Sequence, residues 1–271
     1  MSLEMPVLTD QTYHSNEANK SYMSVSQFKD FRECEARAVA RLNGWVEPPS
    51  DALLLGSYVH AGIEGEKALE RFWAANPGLV SSKGPTKGQL KAAYKNADVM
   101  LQTLRNDPFC MFVLDGDKEV ILTAEMFGVP WKIKIDAYNQ ERGRLADLKT
   151  TRNIRGKVWS DRYGGYVSFV EAYDYLLQIA VYCEVESLAT GRDEWLEPLM
   201  VAVSNEETPD KAIIRFDEHR LRLELEVLEA NLQRVLEVKY GAAEPLRCEK
   251  CQYCRETKRL RGTIHYTELI G

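Results

Sequence analysis

Apolar residues recur every three to four positions through most of the first hundred residues, alternate every second position across the middle, and return to helical spacing towards the end. The first spacing gathers side chains on one face of a helix, and alternation gathers them on one face of a strand. The pattern therefore predicts an N-terminal helical region to about Val99. Within it, FKDFRECEARAVARL sets Phe28, Phe31, Cys34 and Ala38 along one side, and LLLGSYVHAGIEGEKALERFW keeps helical spacing from about Tyr58. Strands are predicted near Glu119 to Phe127, Pro130 to Tyr138 and Arg144 to Thr150, the last two joined by the polar turn NQERGR with Gly143. A long amphipathic helix runs from about Ser168 to Ala189. The strand LEPLMVAVS, the short strand AIIRF and the helix EHRLRLELEVLEANLQRVLEVKY follow. A strand reached through a helix of about twenty residues is the mark of a crossover to a parallel partner. The expected fold is α/β, a mixed sheet flanked by helices behind an N-terminal helical region. Residues 1–20 are polar and patternless and read as a disordered tail, their opening Met-Ser-Leu as an added leader. Residues 21–260 read as a single domain and 261–271 as a C-terminal tail.

One hairpin in this scheme carries distinctive chemistry. In KIKIDAYNQERGRLADLKTT, Asp147 and Lys149 stand two apart on one strand and share a face, while Asp136 closes the preceding strand. Two carboxylates and an ammonium converge. Mg²⁺ takes oxygen ligands, commonly one or two carboxylates, with water and substrate phosphate in its other positions. A lysine alongside can hold the attacking water and offset charge building on a phosphate. The same spacing also fits a plain hairpin with an exposed ion pair, so other segments must decide. His60 and Glu64 lie one helical turn apart, where both could face a metal. Gln178 and Tyr182 are similarly spaced on the long helix and could hydrogen-bond a phosphate or the lysine; elsewhere such a pair would be a surface amide and a core aromatic.

Cysteine forms a second constellation. Cys248, Cys251 and Cys254 fall at successive two-residue gaps in RCEKCQYCRETKRL, and Cys34 lies far upstream. With no basic-then-apolar segment opening the chain, a disulfide framework is not expected, and four reduced thiols suit either tetrahedral zinc or a cubane iron–sulfur cluster. Joining Cys34 to the distal group would staple a long loop. Cys110 and Cys183 have no thiol neighbours in sequence and read as small buried hydrophobes.

Composition limits the class. With 45% hydrophobic and 28% charged residues, the 271-residue chain can bury one large core. No apolar run approaches the roughly eighteen residues of a membrane span, so no membrane partner is expected and the compartment is read as the cytoplasm. P-loop, dinucleotide-binding and G-x-S-x-G motifs are missing. The net charge of −6 at first disfavours a polyanionic partner. Local cations matter more. Arg152, Arg155, Lys157 and Arg162, interleaved with Trp159 and Tyr163, follow the Asp147 strand and read either as a solvated loop or, if the strand belongs to a nuclease, as a DNA-contacting one. Lys83, Lys87, Lys91 and Lys95 recur every four residues, which reads as a basic stripe whose C-terminal part lies on a helix.

Taken in order, GSYVHAGIE, KIKIDAYN, LADLKTT and YLLQIAVY resemble the RecB-like branch of the PD-(D/E)XK nucleases, and most of all the RecE-type exonuclease domain and its phage relatives. The likeness runs from about Tyr22 to about Leu260 and implies a restriction-endonuclease-like core. It implies His60, Asp136, Asp147 and the Leu148 carbonyl as ligands of Mg²⁺ or Mn²⁺, Lys149 as the catalytic lysine, and Gln178 and Tyr182 as its supports. It further implies 5′ to 3′ digestion of double-stranded DNA ends, a single-strand annealing protein as partner in phage-type recombination, and an oligomeric assembly. Iron–sulfur members of the branch place one cysteine before the nuclease core and three after it. Cys34, Cys248, Cys251 and Cys254 follow that order, which implies a 4Fe-4S cluster with zinc as the alternative, although the last C-x2-C gap is shorter than theirs. A CRISPR-adaptation or DNA-repair nuclease of the same superfamily is the alternative reading. A non-catalytic DNA-binding module is a further one, disfavoured because Asp136, Asp147 and Lys149 are all retained.

Overall fold

The computed structural model describes residues 5–260 and 262–269, and it opens on a run of short helices. These are α1 (Asn16–Ser21), α2 (Val25–Glu33), α3 (Glu35–Leu42), α4 (Asp51–Glu64), α5 (Glu66–Ala75), α6 (Ala92–Arg105) and α7 (Pro108–Val113). Strands β1 (Asp117–Met126), β2 (Val129–Asn139) and β3 (Arg144–Thr151) form an antiparallel meander, followed by a small hairpin of β4 (Val158–Ser160) and β5 (Gly165–Val167). Helices α8 (Phe169–Ala172) and α9 (Tyr175–Thr190) lead to β6 (Glu197–Ser204) and β7 (Lys211–Arg215), and α10 (Glu218–Lys239) and α11 (Gln252–Glu256) end the fold. The main sheet has the order β1-β2-β3-β6-β7. Strand β6 pairs parallel to β3, from Arg144↔Glu197 to Thr151↔Ser204, and the other neighbours are antiparallel. The mixed sheet flanked by helices is thus the fold that the apolar pattern anticipates.

Each face of the sheet buries its own core. Trp131, Ile133 and Ile135 of β2 pack with Phe28, Leu177, Val181, Leu228 and Val235 from α2, α9 and α10. Leu148 of β3 with Val201 and Val203 of β6 packs against Leu55, Val59, Met100 and Leu104 from α4 and α6. Each such side chain contributes about 1.5–3 kcal/mol when taken out of water. The alternation of β2 slips at Asp136: Ile135 belongs to the first core, Ala137 to the second, and Tyr138 to the first again.

Five expectations need correction. The helix read from about Ser168 to Ala189 is two, α8 and α9, because Asp174 turns left-handed (φ +51°) between them. Helical structure extends past Val99, to Val113. The amphipathic stretch holding Cys34 is two helices, because Cys34 is extended (φ −162°, ψ 102°) and caps both. Tertiary contacts hold the break, with Glu35 accepting from Arg234 of α10 at 2.7 Å and from the Leu246 N–H at 2.7 Å. The lysine stripe does not form. Gly84, Pro85 and Gly88 interrupt the helical period, α6 begins only after Lys91, and of the four only Lys95 is on it. Over residues 5–20 the tail reading also fails, while residues 1–4 lie outside the described residues. Lys132 of β2 is 2% exposed and donates to the Tyr13 carbonyl and, at 2.7 Å, to Asn19 Oδ1. A buried ammonium needs such acceptors, and anchoring by backbone oxygens leaves no hydrophobic period to read.

Helix α4 approaches β3 at Gly56, where an added Cβ would lie 2.9 Å from Thr150 Oγ1. Gly56→Val is expected to force the two elements apart and lower the unfolding free energy by about 1–3 kcal/mol. Matching denaturant midpoints for the variant and its parent would remove this account of the glycine.

Candidate metal centre and active site

The pairing of β2 with β3 ends at Ala137↔Ala146, and the strands part there. Asp136 and Asp147 are the next residues on either side of the gap. Without a β2 carbonyl opposite, the Leu148 N–H donates instead to Asp136 Oδ2 at 2.7 Å. The N–H and C=O of a strand residue point to the same side, so the Leu148 carbonyl faces the gap as well. Asp147 is 1% exposed. Its Oδ1 accepts from Lys149 Nζ at 2.9 Å and from Gln178 Nε2 at 2.8 Å. Its Oδ2 lies 2.7 Å from the Lys149 ammonium but takes no well-directed hydrogen bond, leaving a buried anionic oxygen with lone pairs to offer.

Helix α4 brings His60 Nδ1 to 3.5 Å from Asp136 Oδ2. Across β1, Glu119 falls opposite Asp136 in the register set by Lys118↔Ala137 and Val120↔Ile135. One ligand atom from each of His60, Glu119 and Asp136 lies within 4.8 Å of the others, and Asp147 falls outside that trio. Glu119 has φ +54°, a left-handed conformation that costs a non-glycine residue on the order of 1 kcal/mol, and Lys134 holds its carboxylate at 2.7 Å. On α9 the Tyr175 ring centroid sits 5.1 Å from Lys149 Nζ, and Tyr182 lines the same cleft one turn beyond Gln178 while packing partly against the first core. The cleft encloses about 950 Å³.

Charge is divided unevenly across the gap. Burial raises the Asp147 carboxyl and Lys149 opposes it, with a net displacement up to about 6. Burial acts on Asp136 in the same sense but is outweighed by His60, Lys149 and the Leu148 N–H, which bring it down to about 2. Neighbouring carboxylates commonly split this way. Burial would neutralise Lys149, but Asp147 and then Asp136 outweigh it and keep the ammonium charged. His60 is likewise raised, burial being overcome by Asp136.

The structure therefore brings His60, Asp136, Asp147, Leu148, Lys149, Gln178 and Tyr182 around one cleft. Glu64 also lines the cleft but falls outside the trio of His60, Glu119 and Asp136, paired instead with Arg71 at 2.8 Å. Arg152 lines the cleft and Lys157 is exposed, whereas Arg155 lies 3.8 Å from Asp210. Arg162 departs from the DNA-contact reading: its two amino groups are held at 2.8 Å by Asp174 and by Glu224, which is 1% exposed. A buried carboxylate requires such a partner. Two residues were missed from sequence. Tyr175 carried a signal, three positions before Gln178 on one helix face. Glu119 carried none, since only the register of β1 on β2 brings it to Asp136.

The donor set fits a divalent cation. Carboxylate and carbonyl oxygens suit Mg²⁺ or Mn²⁺, one imidazole completes the set, and the buried Asp147 Oδ2 lacks a hydrogen-bond partner. Away from the cleft, Cys34, Cys248, Cys251 and Cys254 are free thiols gathered into a second group, while Cys110 and Cys183 are buried apart from it.

A mixed sheet with two acidic residues and a lysine where its central strands part, flanked by a helical histidine, defines the PD-(D/E)XK class of nuclease. The chain belongs to the family described as a PDDEXK-like domain of unknown function (DUF3799), which matches residues 24–257. It is 37% identical to a protein of Eubacterium rectale named "Putative exonuclease", whose crystal structure superposes with a TM-score of 0.90 over 98% of each chain. A crystal structure of SSO0001, 14% identical over 84% of this chain and 91% of that one, reaches a TM-score of only 0.29 and carries no argument. No curated protein matches the chain.

Because Asp147 is raised to about 6, it gains a proton as the pH falls through that value and then competes poorly for a cation. Mn²⁺ is expected to raise the melting temperature above pH 6 and to lose that effect below it. A metal-induced shift unchanged across the range would contradict the pairing of Asp147 with the ion.

Proposed function

We propose that this protein is a metal-dependent deoxyribonuclease that hydrolyses phosphodiester bonds from the ends of duplex DNA. The observation that carries the reading is the gap between β2 and β3, where His60, Asp136, Asp147 and Lys149 meet in an open cleft. Asp136, Asp147 and His60 would hold Mg²⁺ or Mn²⁺, with Glu119 and the Leu148 carbonyl as further donors. When bound, the ion supplies Lewis-acid polarisation of a phosphoryl oxygen and acidifies a water. Lys149 orients the attacking water and offsets negative charge on the phosphate as it grows. Gln178 fixes the Asp147 carboxylate, Tyr175 shields the lysine from bulk water, and Tyr182 supports that end of α9. Arg152 contacts the DNA backbone within the cleft. Trp159 and Tyr166 are exposed on the β4–β5 hairpin, offering a surface for stacking on an unpaired base. That hairpin is tied to the start of α9 through Arg162 and Asp174, so Arg162 acts as a positioning residue.

Action at DNA ends draws support from the name of the Eubacterium rectale relative. Polarity from 5′ to 3′, a role in phage-type recombination beside a single-strand annealing protein, and oligomeric assembly extend the RecE-type resemblance. Residues 5–260 would work as one nuclease domain. No helix among the described residues is long and apolar enough to cross a membrane.

With Mg²⁺ present, Lys149→Ala is expected to slow degradation of linear duplex DNA by about 10²- to 10³-fold. Full activity in that variant would sink the assignment of the lysine. End-labelled linear duplex should be consumed from its 5′ ends while a covalently closed circle survives, and equal cutting of the two would replace exonuclease with endonuclease action.

A further inference from the structure

The thiols of Cys34, Cys248, Cys251 and Cys254 converge from two ends of the chain. Cys34 sits at the break between α2 and α3, Cys254 is buried on α11, and Cys248 and Cys251 lie in the turn before it. Their Sγ atoms are 3.6 Å apart for Cys34 and Cys254, 3.7 Å for Cys34 and Cys251, and 4.0 Å for Cys248 and Cys254, and all four lie within 4.8 Å of one another. A disulfide would draw one pair to about 2.05 Å and leave the others apart. Four sulfurs all within 4.8 Å of one another are instead the outline of a coordination shell.

That spacing chooses between the two metal forms open at the level of sequence. Four thiolates about 2.3 Å from one tetrahedral ion stand about 3.8 Å from each other. In a cubane each cysteine caps a different iron at an outer corner, which spreads the sulfurs to on the order of 6 Å. The observed distances bracket the first value, and every pair, lying within 4.8 Å, falls short of the second. We infer that Cys34, Cys248, Cys251 and Cys254 bind a single tetrahedral ion of the zinc type, in place of the 4Fe-4S cluster that the family resemblance implies.

Local geometry agrees. The Cys251 N–H donates to Cys248 Sγ at 3.3 Å, and the Cys254 N–H donates to Cys251 Sγ at 3.4 Å. Backbone donors aimed at sulfur favour the thiolate form that coordinates a metal. Glu249, between the first two cysteines, has φ +59°, so the turn is wound tightly enough to bring successive thiols to one point. Zinc has no redox chemistry, and none of the four lines the cleft. The ion would act as a clamp joining residues 220 positions apart, holding the α2–α3 junction against the end of the fold. Closing a loop of that length removes much unfolded-chain entropy.

The test is the metal and sulfide content of the full-length protein, purified anaerobically from cells supplied with both iron and zinc. One zinc per chain, no acid-labile sulfide and no visible colour are expected. Replacing the zinc with Co²⁺ should give the sulfur-to-cobalt charge-transfer and ligand-field bands of a tetrahedral tetrathiolate site. Cys248→Ser, at a half-buried position, should lose the ion, whereas His60→Ala should retain it, which separates this site from the cleft. Four irons with four sulfides and broad visible absorption would overturn the inference, as would protein that takes up neither metal. Because the readout is metal content, the inference stands or falls independently of nuclease activity.

Discussion

A buried carboxylate that is only partly neutralised organises the centre of this molecule. Asp147 is withdrawn from water between α9 and the sheet, with Lys149 and Gln178 on one oxygen and only the misaligned ammonium near the other. Ionising such a group costs several kcal/mol unless positive charge or hydrogen bonds compensate. The elements around it supply part of that compensation: β3 contributes its own lysine, α9 an amide, and the parting of β2 from β3 leaves room for a cation. The upward displacement of Asp147, caused by burial that Lys149 only partly offsets, follows from that incomplete compensation. A divalent ion of the kind proposed for the cleft would meet that remaining demand.

The same economy of buried charge shapes parts of the fold remote from the chemistry. Lys132 ties residues 13–19 across β2 through the Tyr13 carbonyl and Asn19 Oδ1, which makes a polar segment part of the wall beside the cleft. Glu224 holds Arg162 and Arg220, and through Arg162 it braces the aromatic hairpin against α9. Glu186, fully buried, accepts from Tyr138 at 2.5 Å and from Arg192 at 3.1 Å behind the sheet. These pairs orient elements more than they add net stability, since desolvation offsets much of their attraction.

The four gathered thiols would perform a comparable closure by coordinating the proposed ion. Glu35 and Arg234 already bring α3 to α10 beside the Cys34 junction, so the thiols meet in a region organised by an ion pair. The clamp and the cleft are thus separate: one joins the ends of the chain, and the other is framed by the strands and helices between them.

Much of this was legible along the chain because local periods encode it. Alternation placed Asp147 and Lys149 on one face of β3, the helical period placed Gln178 and Tyr182 on α9, and the C-x2-C gaps marked the thiols. Contacts that depend on register or on a single anchoring side chain left no such trace. Glu119 reaches Asp136 only through the pairing of β1 with β2 and an unusual backbone angle. Arg162 reads as a free cation until Glu224 is found buried beside it. Cys34 reads as one more face residue until the helix breaks there, and residues 5–20 read as a tail until Lys132 is found needing them. The sequence by itself therefore determined the order of elements, the fold class and the residue types of the chemistry, since each depends on neighbours a few positions apart. Tertiary structure alone decided which charges are spent on the scaffold and how far apart the four sulfurs stand, because burial and distance are set by segments that meet only after folding.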